Sequence, residues 1–313
     1  MKSNTGESAL CSCVLMLFMA CSSSTVESAA TSATAVGDRV VFLGTGTPNA
    51  LPDRSGPGVA IVAGDAAYLV DAGPGIVRRA AAAAQNGTPQ LDPANLRIAF
   101  ITHLHSDHTI GLPDLIFTPW SGADREEPLE LYGPPGIGNM AEHILAAYDE
   151  DIRIRIDGPQ PATPEGYRVN WHEVSPGEIY SDSNVTVTAF RVNHDSWRHA
   201  YGYKFETANR TIVVSGDASP SASIAENCVR CDVLVHEVYS ATALEGRAPD
   251  WQRYHRGAHT STHELGVIAA EAQPGVLVLY HQLFWGTTPA DLLREIGEVY
   301  DGRVVSANDL DVF

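Results

Sequence analysis

Two kinds of hydrophobic pattern alternate along the chain after residue 37. Short apolar runs bounded by glycine, proline or aspartate predict β-strands. In chain order these runs are RVVFLGT, GVAIVAG, AAYLVDAG, LRIAFITH, LELYGP, NVTVTAFRV, YGYKFE, RTIVVSGD, DVLVHEVY, GVLVLYHQ and RVVSAND. Because GVAIVAG and AAYLVDAG meet at Gly64 and Asp65, these two runs predict a β-hairpin.

Segments with helical spacing lie between these runs. Four of them predict α-helices: PGIVRRAAAAAQNG, GIGNMAEHILAAYDED, STHELGVIAAEAQ and PADLLREIGEVYDG. A further short helix is expected through IGLPDLIF, where Pro113 limits its length. The alternation of strands and helices, without an internal repeat, predicts one α/β domain over residues 37–313. We expect two sheets packed face to face with helices outside.

The first 36 residues have a different pattern. The apolar run ALCSCVLMLFMA is too short to span a bilayer and stands where the apolar part of a signal peptide would stand. A small residue before Cys21 is typical of a lipoprotein cleavage site, so residues 1–21 predict a signal peptide and Cys21 a lipidated residue. Secretion without a lipid is the alternative. Residues 22–36 predict a flexible tether. The chain is therefore expected to be exported, periplasmic or anchored to the cell envelope.

The chain is strongly acidic, which changes the partners that we expect. It has 38 acidic and 20 basic residues, a formal net charge of −18, and its lysines are Lys2 and Lys204 alone. Nucleic-acid binding depends mainly on basic side chains that contact phosphates, and this chain has few of them relative to its acidic residues. The sequence predicts a small-molecule substrate, no nucleic-acid partner, and membrane contact only through the lipid. It leaves open whether the chain forms a homodimer.

Two cysteines of the main domain stand close together. Cys228 and Cys231 form a C-x-x-C pair. Without a second pair, this spacing is a weak indication of zinc. A local disulfide, or two unconnected structural cysteines, are the alternatives.

The segment ITHLHSDHTIG concentrates metal-ligand side chains at the end of a predicted strand. His103 and His105 alternate with Leu104, so both imidazoles point the same way in an extended segment. Asp107 and His108 follow where the chain turns toward a helix. More candidates come directly after other predicted strands: His194, Asp217 and His281.

Imidazole and carboxylate groups are typical ligands for divalent zinc, manganese or iron. The seven candidate side chains exceed what one tetrahedral ion uses. The count therefore predicts two divalent ions that share a bridging carboxylate. Zn²⁺ is the first choice, with Mn²⁺ or Fe²⁺ as alternatives.

Several of these segments resemble a known family. THLHSDH resembles the signature of the metallo-β-lactamase-fold hydrolases. Four further segments resemble parts of the ribonuclease Z and arylsulfatase-like branch of this family: FLGTGTPNALPDRSGPG, YLVDAGPG, VLVHEVY and AHTSTHELGVIAAEA. The resemblance covers nearly all of the chain after residue 37. It implies the αβ/βα sandwich of this family, two mixed sheets flanked by helices, with the metals at one edge of the paired sheets.

The resemblance also implies roles for the ligands. One ion would be held by His103, His105 and His194. The second ion would be held by Asp107, His108 and His281, and Asp217 would bridge the two.

Further roles are implied around these ligands. Asp71 would orient the H-x-H-x-D-H loop. His259 aligns with the branch's HST motif and is the expected proton donor, with His263 as the competing choice. Glu237 would orient that histidine. The expected catalytic residues are therefore His259, Asp107 and Glu237.

Two divalent ions lower the pKa of a shared water and leave the centre positive, which favours an anionic substrate. Four aromatic residues near the motifs could line a pocket for an aryl group or pack in the core: Trp120, Trp197, Phe284 and Trp285. We therefore expect an exported hydrolase of small aryl sulfate esters or phosphodiesters. A lactonase or β-lactamase is the alternative. A ribonuclease Z-type endonuclease and a non-catalytic metal-binding lipoprotein rank lower.

Overall fold

The structure, a computed structural model, describes residues 37–313. The predicted signal peptide, the lipidation of Cys21 and the tether lie outside the described residues, so they and the predicted export stay predictions. Within residues 37–313, no helix combines the length and the apolarity that crossing a bilayer requires.

The first half of the described chain forms a mixed sheet of six strands in sequential order. The strands are β1 (Arg39–Gly44), β2 (Gly58–Ala63), β3 (Ala66–Val70), β4 (Ile98–Phe100), β5 (Leu129–Gly133) and β6 (Val169–Glu173). The first three pair antiparallel, and β3 to β6 pair parallel. The pairing of β2 with β3 confirms the predicted hairpin.

The second half forms a mixed sheet of seven strands. These are β7 (Gly177–Ser181), β8 (Val185–Arg191), β9 (Tyr201–Thr207), β10 (Thr211–Val214), β11 (Val233–Tyr239), β12 (Val276–Leu283) and β13 (Val304–Ser306). Strands β7 to β10 pair antiparallel, and β10 to β13 pair parallel. Each half therefore begins with antiparallel strands and ends with parallel ones.

Ten α-helices occur in the described residues, most of them after strands. They are α1 (Ile76–Gln85), α2 (Ser106–Thr109), α3 (Leu112–Ala123), α4 (Ile137–Ala147), α5 (Asp149–Asp157), α6 (Ala222–Asn227), α7 (Ala241–Glu245), α8 (Pro249–Ala258), α9 (Thr262–Ala272) and α10 (Pro289–Gly297). Helices α1, α3 and α4 cover the first sheet, and α6, α9 and α10 cover the second.

Alternating side chains of β1 show why the layers form. Val40 and Phe42 pack in the cluster between the two sheets, whereas Val41 and Leu43 pack against the helices of the first sheet. Both faces of the strand are buried, so the strand is apolar throughout. The result is the predicted αβ/βα sandwich of two mixed sheets flanked by helices.

The structure corrects the element predictions at several places. The helix expected to be short extends over α3, because Pro113 lies in its first turn, where a missing N–H costs little. Strands β6 and β7 and helices α5 and α8 were not predicted from the sequence. Their sequences are polar, and β6 and α5 are largely exposed, so they carry little hydrophobic pattern.

The two cysteines after α6 are bonded to each other. Cys228 and Cys231 form a disulfide, and both are buried among the side chains that join the second sheet to its helices. The structure thus adopts the local disulfide, one of the three alternatives that the spacing left open.

Candidate metal centre

The H-x-H-x-D-H segment begins three residues after the end of β4. His103 is fully buried, and its Nε2 lies 2.9 Å from Nδ1 of His105. His105 stands at the start of α2, a single helical turn that carries Asp107 and His108. The turn aims both later side chains toward the crevice between the sheets.

The second sheet supplies the other ligand-type residues from the carboxyl ends of its strands. His194 follows β8, and its Nε2 lies 3.1 Å from Nδ1 of His105. Asp217 follows β10, and its Oδ2 lies 3.9 Å from Nε2 of His103. His281 lies in β12 with a backbone φ of 42°, an unusual conformation for a side chain of this size.

A second group of donors lies on the other side of Asp217 and contacts both of its oxygens. His108 Nε2 lies 3.4 Å from Asp217 Oδ1 and 3.5 Å from Asp107 Oδ2. His281 Nε2 lies 3.2 Å from Asp107 Oδ2 and 3.5 Å from Asp217 Oδ2. The seven predicted ligand residues therefore converge in two groups, and Asp217 lies between them.

Outer contacts fix the imidazole rings. Asp71, with φ of 62°, accepts hydrogen bonds from His108 Nδ1 (2.8 Å) and from the backbone N–H and the hydroxyl of Thr102. Thr102 Oγ1 in turn lies 3.0 Å from His103 Nδ1. His194 Nδ1 donates to the carbonyl of Ala258 at 2.6 Å. Such contacts orient the opposite nitrogen of each ring toward a metal.

The donor set fits a divalent cation. His108 Nε2 and Asp217 Oδ1 are buried and have no hydrogen-bond partner within the described residues. Tetrahedral zinc with bonds of about 2.0–2.1 Å separates its nitrogen ligands by roughly 3.3 Å. The separations of 2.9 and 3.1 Å among His103, His105 and His194 are close to that value.

Charge in the group also favours a cation. Burial lowers the pKa of His103 well below its ordinary value and that of His105 to about 4, so both rings are neutral ligands at pH 7. Burial also opposes charge on His108 and His281, yet the surrounding carboxylates, Asp217 above all, raise the pKa of both. A divalent ion supplies the same compensating charge to these carboxylates.

His259 and His263 take different positions. His259 directly follows α8 and is buried, with its Nδ1 3.4 Å from Glu237 Oε1 and 3.8 Å from Asp217 Oδ2. Glu237 is fully buried and accepts hydrogen bonds from the backbone N–H groups of Thr260 and Ala218. His263 is 46% exposed and bonds to Glu298 on the surface. The structure brings His259, and not His263, to the centre.

A cavity of about 620 Å³ opens above these groups. Its floor includes His105, Asp107, Asp217, His259 and His281. One wall comes from the region of α8, a helix that the sequence interpretation missed. That wall is lined by Arg247, Trp251, Tyr254, His255 and Trp285. The spacing of Trp251, Tyr254 and His255, at i, i+3 and i+4, was a signal that these side chains share one helical face.

The four aromatic residues singled out in the sequence separate in the structure. Trp285 lines the cavity, and Trp197 donates its Nε1 hydrogen to His105 Nε2 at 2.7 Å. Trp120 is buried in the core beneath the first sheet, so its pocket role is wrong. Phe284 packs against the core of the second half, under the guanidinium of Arg54.

Comparison with known proteins identifies the family. A family model described as a β-lactamase superfamily domain matches residues 67–282. Ribonuclease Z of Mycobacterium bovis (strain BCG / Pasteur 1173P2) is 32% identical over 280 residues, covering 87% of this chain and 96% of that protein. The chain belongs to the metallo-β-lactamase-fold hydrolases. Its curated relatives place it with the ribonuclease Z branch of that superfamily.

Solved structures of metallo-β-lactamase-fold proteins share the architecture. Human tRNase Z, short form, has a TM-score of 0.65 and 22% identity, covering 88% of this chain and 98% of that one. YhfI from Bacillus subtilis has a TM-score of 0.66 and 20% identity, covering 88% and 99%. These likenesses confirm the fold. Membership in the superfamily, together with the donor groups, supports a divalent metal centre in a hydrolase.

The comparisons correct two expectations about this metallo-β-lactamase-fold hydrolase. An exported hydrolase of small aryl esters ranked above a ribonuclease Z-type endonuclease, and that ranking is wrong, because the curated relatives are ribonucleases Z. The expectation of a small-molecule substrate and no nucleic-acid partner is wrong on the same ground. Net charge sums the whole chain and does not describe the surface beside one cavity. Between residues 247 and 258, three arginines accompany a single aspartate.

Proposed function

We propose that the chain is a metal-dependent ribonuclease that hydrolyses a phosphodiester bond of RNA. The observation that carries this proposal is the convergence of the seven histidine and aspartate side chains, four of which line a cavity that also exposes His259. Relatives named ribonuclease Z, 30–35% identical over most of their length, indicate the substrate class.

The proposal includes two zinc ions. We assign the first to His103, His105 and His194, and the second to Asp107, His108 and His281, with Asp217 between them. The support is that Asp217 groups with His103, His105 and His194 and also lies 3.4 Å from His108 and 3.5 Å from His281 of the other group. Imidazole and carboxylate ligands suit zinc, and elemental analysis would distinguish zinc from manganese or iron.

Divalent ions held there supply Lewis acidity, which lowers the pKa of water and offsets charge that develops on a phosphoryl group. The protein itself contributes position. Asp71 and Thr102 hold the H-x-H-x-D-H loop, so its donors face the crevice without rearrangement. Ligands fixed in this way would hold the ions in place without a reorganisation cost during the reaction.

His259 is the proposed proton donor to the leaving oxygen. Its Nδ1 faces Glu237 and Asp217, which leaves Nε2 to hold a proton toward the cavity. Hydrolysis joins the oxygen of water to phosphorus and breaks the bond from phosphorus to the ester oxygen. His259 Nε2 gives its proton to that departing oxygen, and the proton that water loses restores the imidazolium. Glu237 orients the ring from behind.

The decisive experiment is RNA cleavage by the purified full-length chain. The assay compares protein supplied with zinc and protein treated with a chelator, on a tRNA transcript with 5′ and 3′ extensions and on unstructured RNA. We expect cleavage that a chelator abolishes and that zinc restores. His259→Ala should lower kcat by about 10²–10⁴-fold, the usual contribution of a general acid.

His263→Ala is the matched control, because His263 is a histidine of the same segment that lies on the surface. It should cleave at the wild-type rate. Metal-loaded wild-type protein that leaves every RNA intact would refute the ribonuclease proposal. Equal losses in the two variants would refute the role of His259.

A further inference from the structure

The wall of the cavity beside α8 has a composition unlike its floor. Four aromatic side chains form a continuous surface, which we call the aromatic wall: Trp251, Tyr254, His255 and Trp285. The rings of Trp251 and His255 are nearly parallel, with centroids 5.7 Å apart and planes at 23°. His255 and Trp285 have centroids 4.4 Å apart. The aromatic wall therefore presents π faces next to the metal centre.

Two features indicate that the aromatic wall is not simply core. Trp251 is 52% exposed, although tryptophan is among the largest apolar side chains. Trp285 has a backbone φ of 46°, a costly conformation for a bulky residue. Exposed aromatic surface and a strained backbone next to a reaction centre are both typical of a ligand site.

Arg247 adds a positive charge to this surface. Its guanidinium lies 5.4 Å from the ring centre of Trp285 and 6.0 Å from that of Trp251. Within residues 37–313, no carboxylate forms a salt bridge with Arg247, and it is the only arginine or lysine that lines the cavity. Its charge is therefore available to an anionic group of a ligand.

A π face next to an unpaired cation suits a ligand that has both a flat ring and a negative charge. Proteins bind single-stranded nucleic acid in this way, with bases stacked on aromatic side chains and phosphates held by basic ones. Arg256 extends the positive charge along α8, whereas Arg253 forms a salt bridge with Asp250, the one acidic residue of this helix. A paired duplex would hide the base faces that the aromatic wall can contact.

We propose that the aromatic wall and Arg247 bind one unpaired nucleotide of the RNA, its base on the rings and its phosphate on the guanidinium. This inference rests on the proposed ribonuclease function. The aromatic wall adjoins His259, the proposed donor to the leaving oxygen, and the ring of Tyr254 lies 6.1 Å from that of His259. The bound nucleotide is therefore the one on the leaving-group side of the cleaved bond.

The cleavage test uses RNA in which the leaving-side nucleotide is unpaired, paired or abasic. Wild-type protein with zinc should prefer the unpaired base and lose roughly 5- to 100-fold in kcat/KM on the abasic RNA, the range of one base stack. Trp251→Ala and Trp285→Ala should lose a similar factor on the normal RNA, mainly through KM, and should not distinguish the abasic RNA. Trp171→Ala, which removes an exposed tryptophan from β6, is the matched control and should behave as wild type.

A binding test separates this inference from the proposed function. The His259→Ala protein is titrated with a short single-stranded RNA while tryptophan fluorescence is recorded. We expect quenching that Trp251→Ala reduces, and Arg247→Gln should lower the slope of log Kd against log salt by about 1. If the RNA quenches the tryptophan fluorescence in this way but wild-type protein does not cleave RNA, only the ribonuclease proposal is refuted. Either of two results would refute the aromatic wall as a nucleotide site. One is cleavage with a normal KM in Trp251→Ala and Trp285→Ala, and the other is tryptophan fluorescence that the RNA does not quench.

Discussion

At the residue scale, the position of one proton distinguishes two states of the metal centre. The outer nitrogens of His103 and His194 donate to neighbouring oxygens, so their Nε2 atoms present lone pairs. His105 accepts from Trp197 at Nε2, so a neutral His105 carries its proton on Nδ1. This Nδ1 lies 2.9 Å from Nε2 of His103 and 3.1 Å from Nε2 of His194, so its proton faces both lone pairs. A cation bound by the three rings would replace it.

Metal binding should therefore change the surroundings of Trp197. When His105 binds a metal through Nδ1, its proton lies on Nε2. That N–H group would then face the indole N–H of Trp197, which donates to Nε2 in the structure, and the two N–H groups would repel each other. We expect zinc to break this hydrogen bond and to change the tryptophan emission of the full-length chain. The measurement is a fluorescence titration with zinc. In Trp197→Phe the change should disappear while zinc binding, measured with a competing chelator, persists; an unchanged signal in that variant would contradict the expectation.

The sequence predicted which histidines and aspartates converge, and it missed all of the aromatic wall except Trp285 for a physical reason. Histidines and aspartates just after apolar strands stand out, because parallel strands bring their carboxyl ends to one edge. Trp251, Tyr254 and His255 have no such chemistry individually. They become a surface only when α8 folds beside the cavity, and Trp285 joins them from the turn after β12.

At the element scale, α3 depends on a cation from outside the helix. Pro119 lies inside α3 and has no N–H to donate to the carbonyl of Leu115. Arg125 replaces this donor, since its Nη1 lies 3.0 Å from Leu115 O. The same guanidinium donates to Ile116, Leu96 and Gly166. The sequence predicted a short helix because of Pro113, and it gave no indication of the donor that carries α3 past Pro119, since that donor is supplied by the tertiary fold.

Replacement of this guanidinium should destabilise the fold. Arg125 is 1% exposed, and Arg125→Met would leave several buried carbonyls without a donor. We expect a loss of about 3–5 kcal/mol in the free energy of unfolding, because hydrogen bonds from a charged group contribute about 1.5–3 kcal/mol each. Urea denaturation followed by circular dichroism measures it. Arg153→Met on the exposed helix α5 is the control, and an equal effect in both variants would contradict the account.

A buried carboxylate joins three elements of the second half. Glu295 of α10 accepts hydrogen bonds from the hydroxyl and N–H groups of Ser240, Ala241 and Thr262, at 2.9, 2.9 and 2.5 Å. Burial alone would raise its pKa, but these donors hold the pKa below the ordinary value of 4.5. The charged form of Glu295 therefore stabilises the packing of α10 against α9 and the end of β11.

This stabilisation should depend on pH. Because the pKa is lower in the folded state, the contribution is complete above about pH 5 and is lost as the pH falls through the folded-state value. We expect Glu295→Gln to cost about 1–3 kcal/mol at pH 7 and clearly less at pH 3.5. Urea denaturation at both pH values tests this. Glu298→Gln, an exposed substitution at the end of the same helix, should have little effect at either pH.

At the scale of the whole molecule, the metal centre joins two halves with different strand patterns. Asp71 and the H-x-H-x-D-H loop come from the first sheet, whereas His194, Asp217 and His281 come from the second. The sequence predicted two sheets with outer helices, because nearly all buried strands are apolar on both faces. The exposed strands β6 and β7 have too weak a pattern, so the position where one sheet ends and the other begins could not be predicted.

Removal of the metal should therefore weaken the whole fold. Ions that bind only the folded state stabilise it by about 4 kcal/mol when their free concentration is 1,000 times Kd. For a domain of this size, each kcal/mol shifts Tm by about 2–4 °C, so a chelator should lower Tm by roughly 8–16 °C. Thermal melts of the full-length chain with excess zinc and with chelator measure the shift. In His103→Ala the difference should shrink markedly, because one ligand of the first group is missing. Equal melting temperatures of the wild type in both conditions would show that the two sheets hold together without a bound ion.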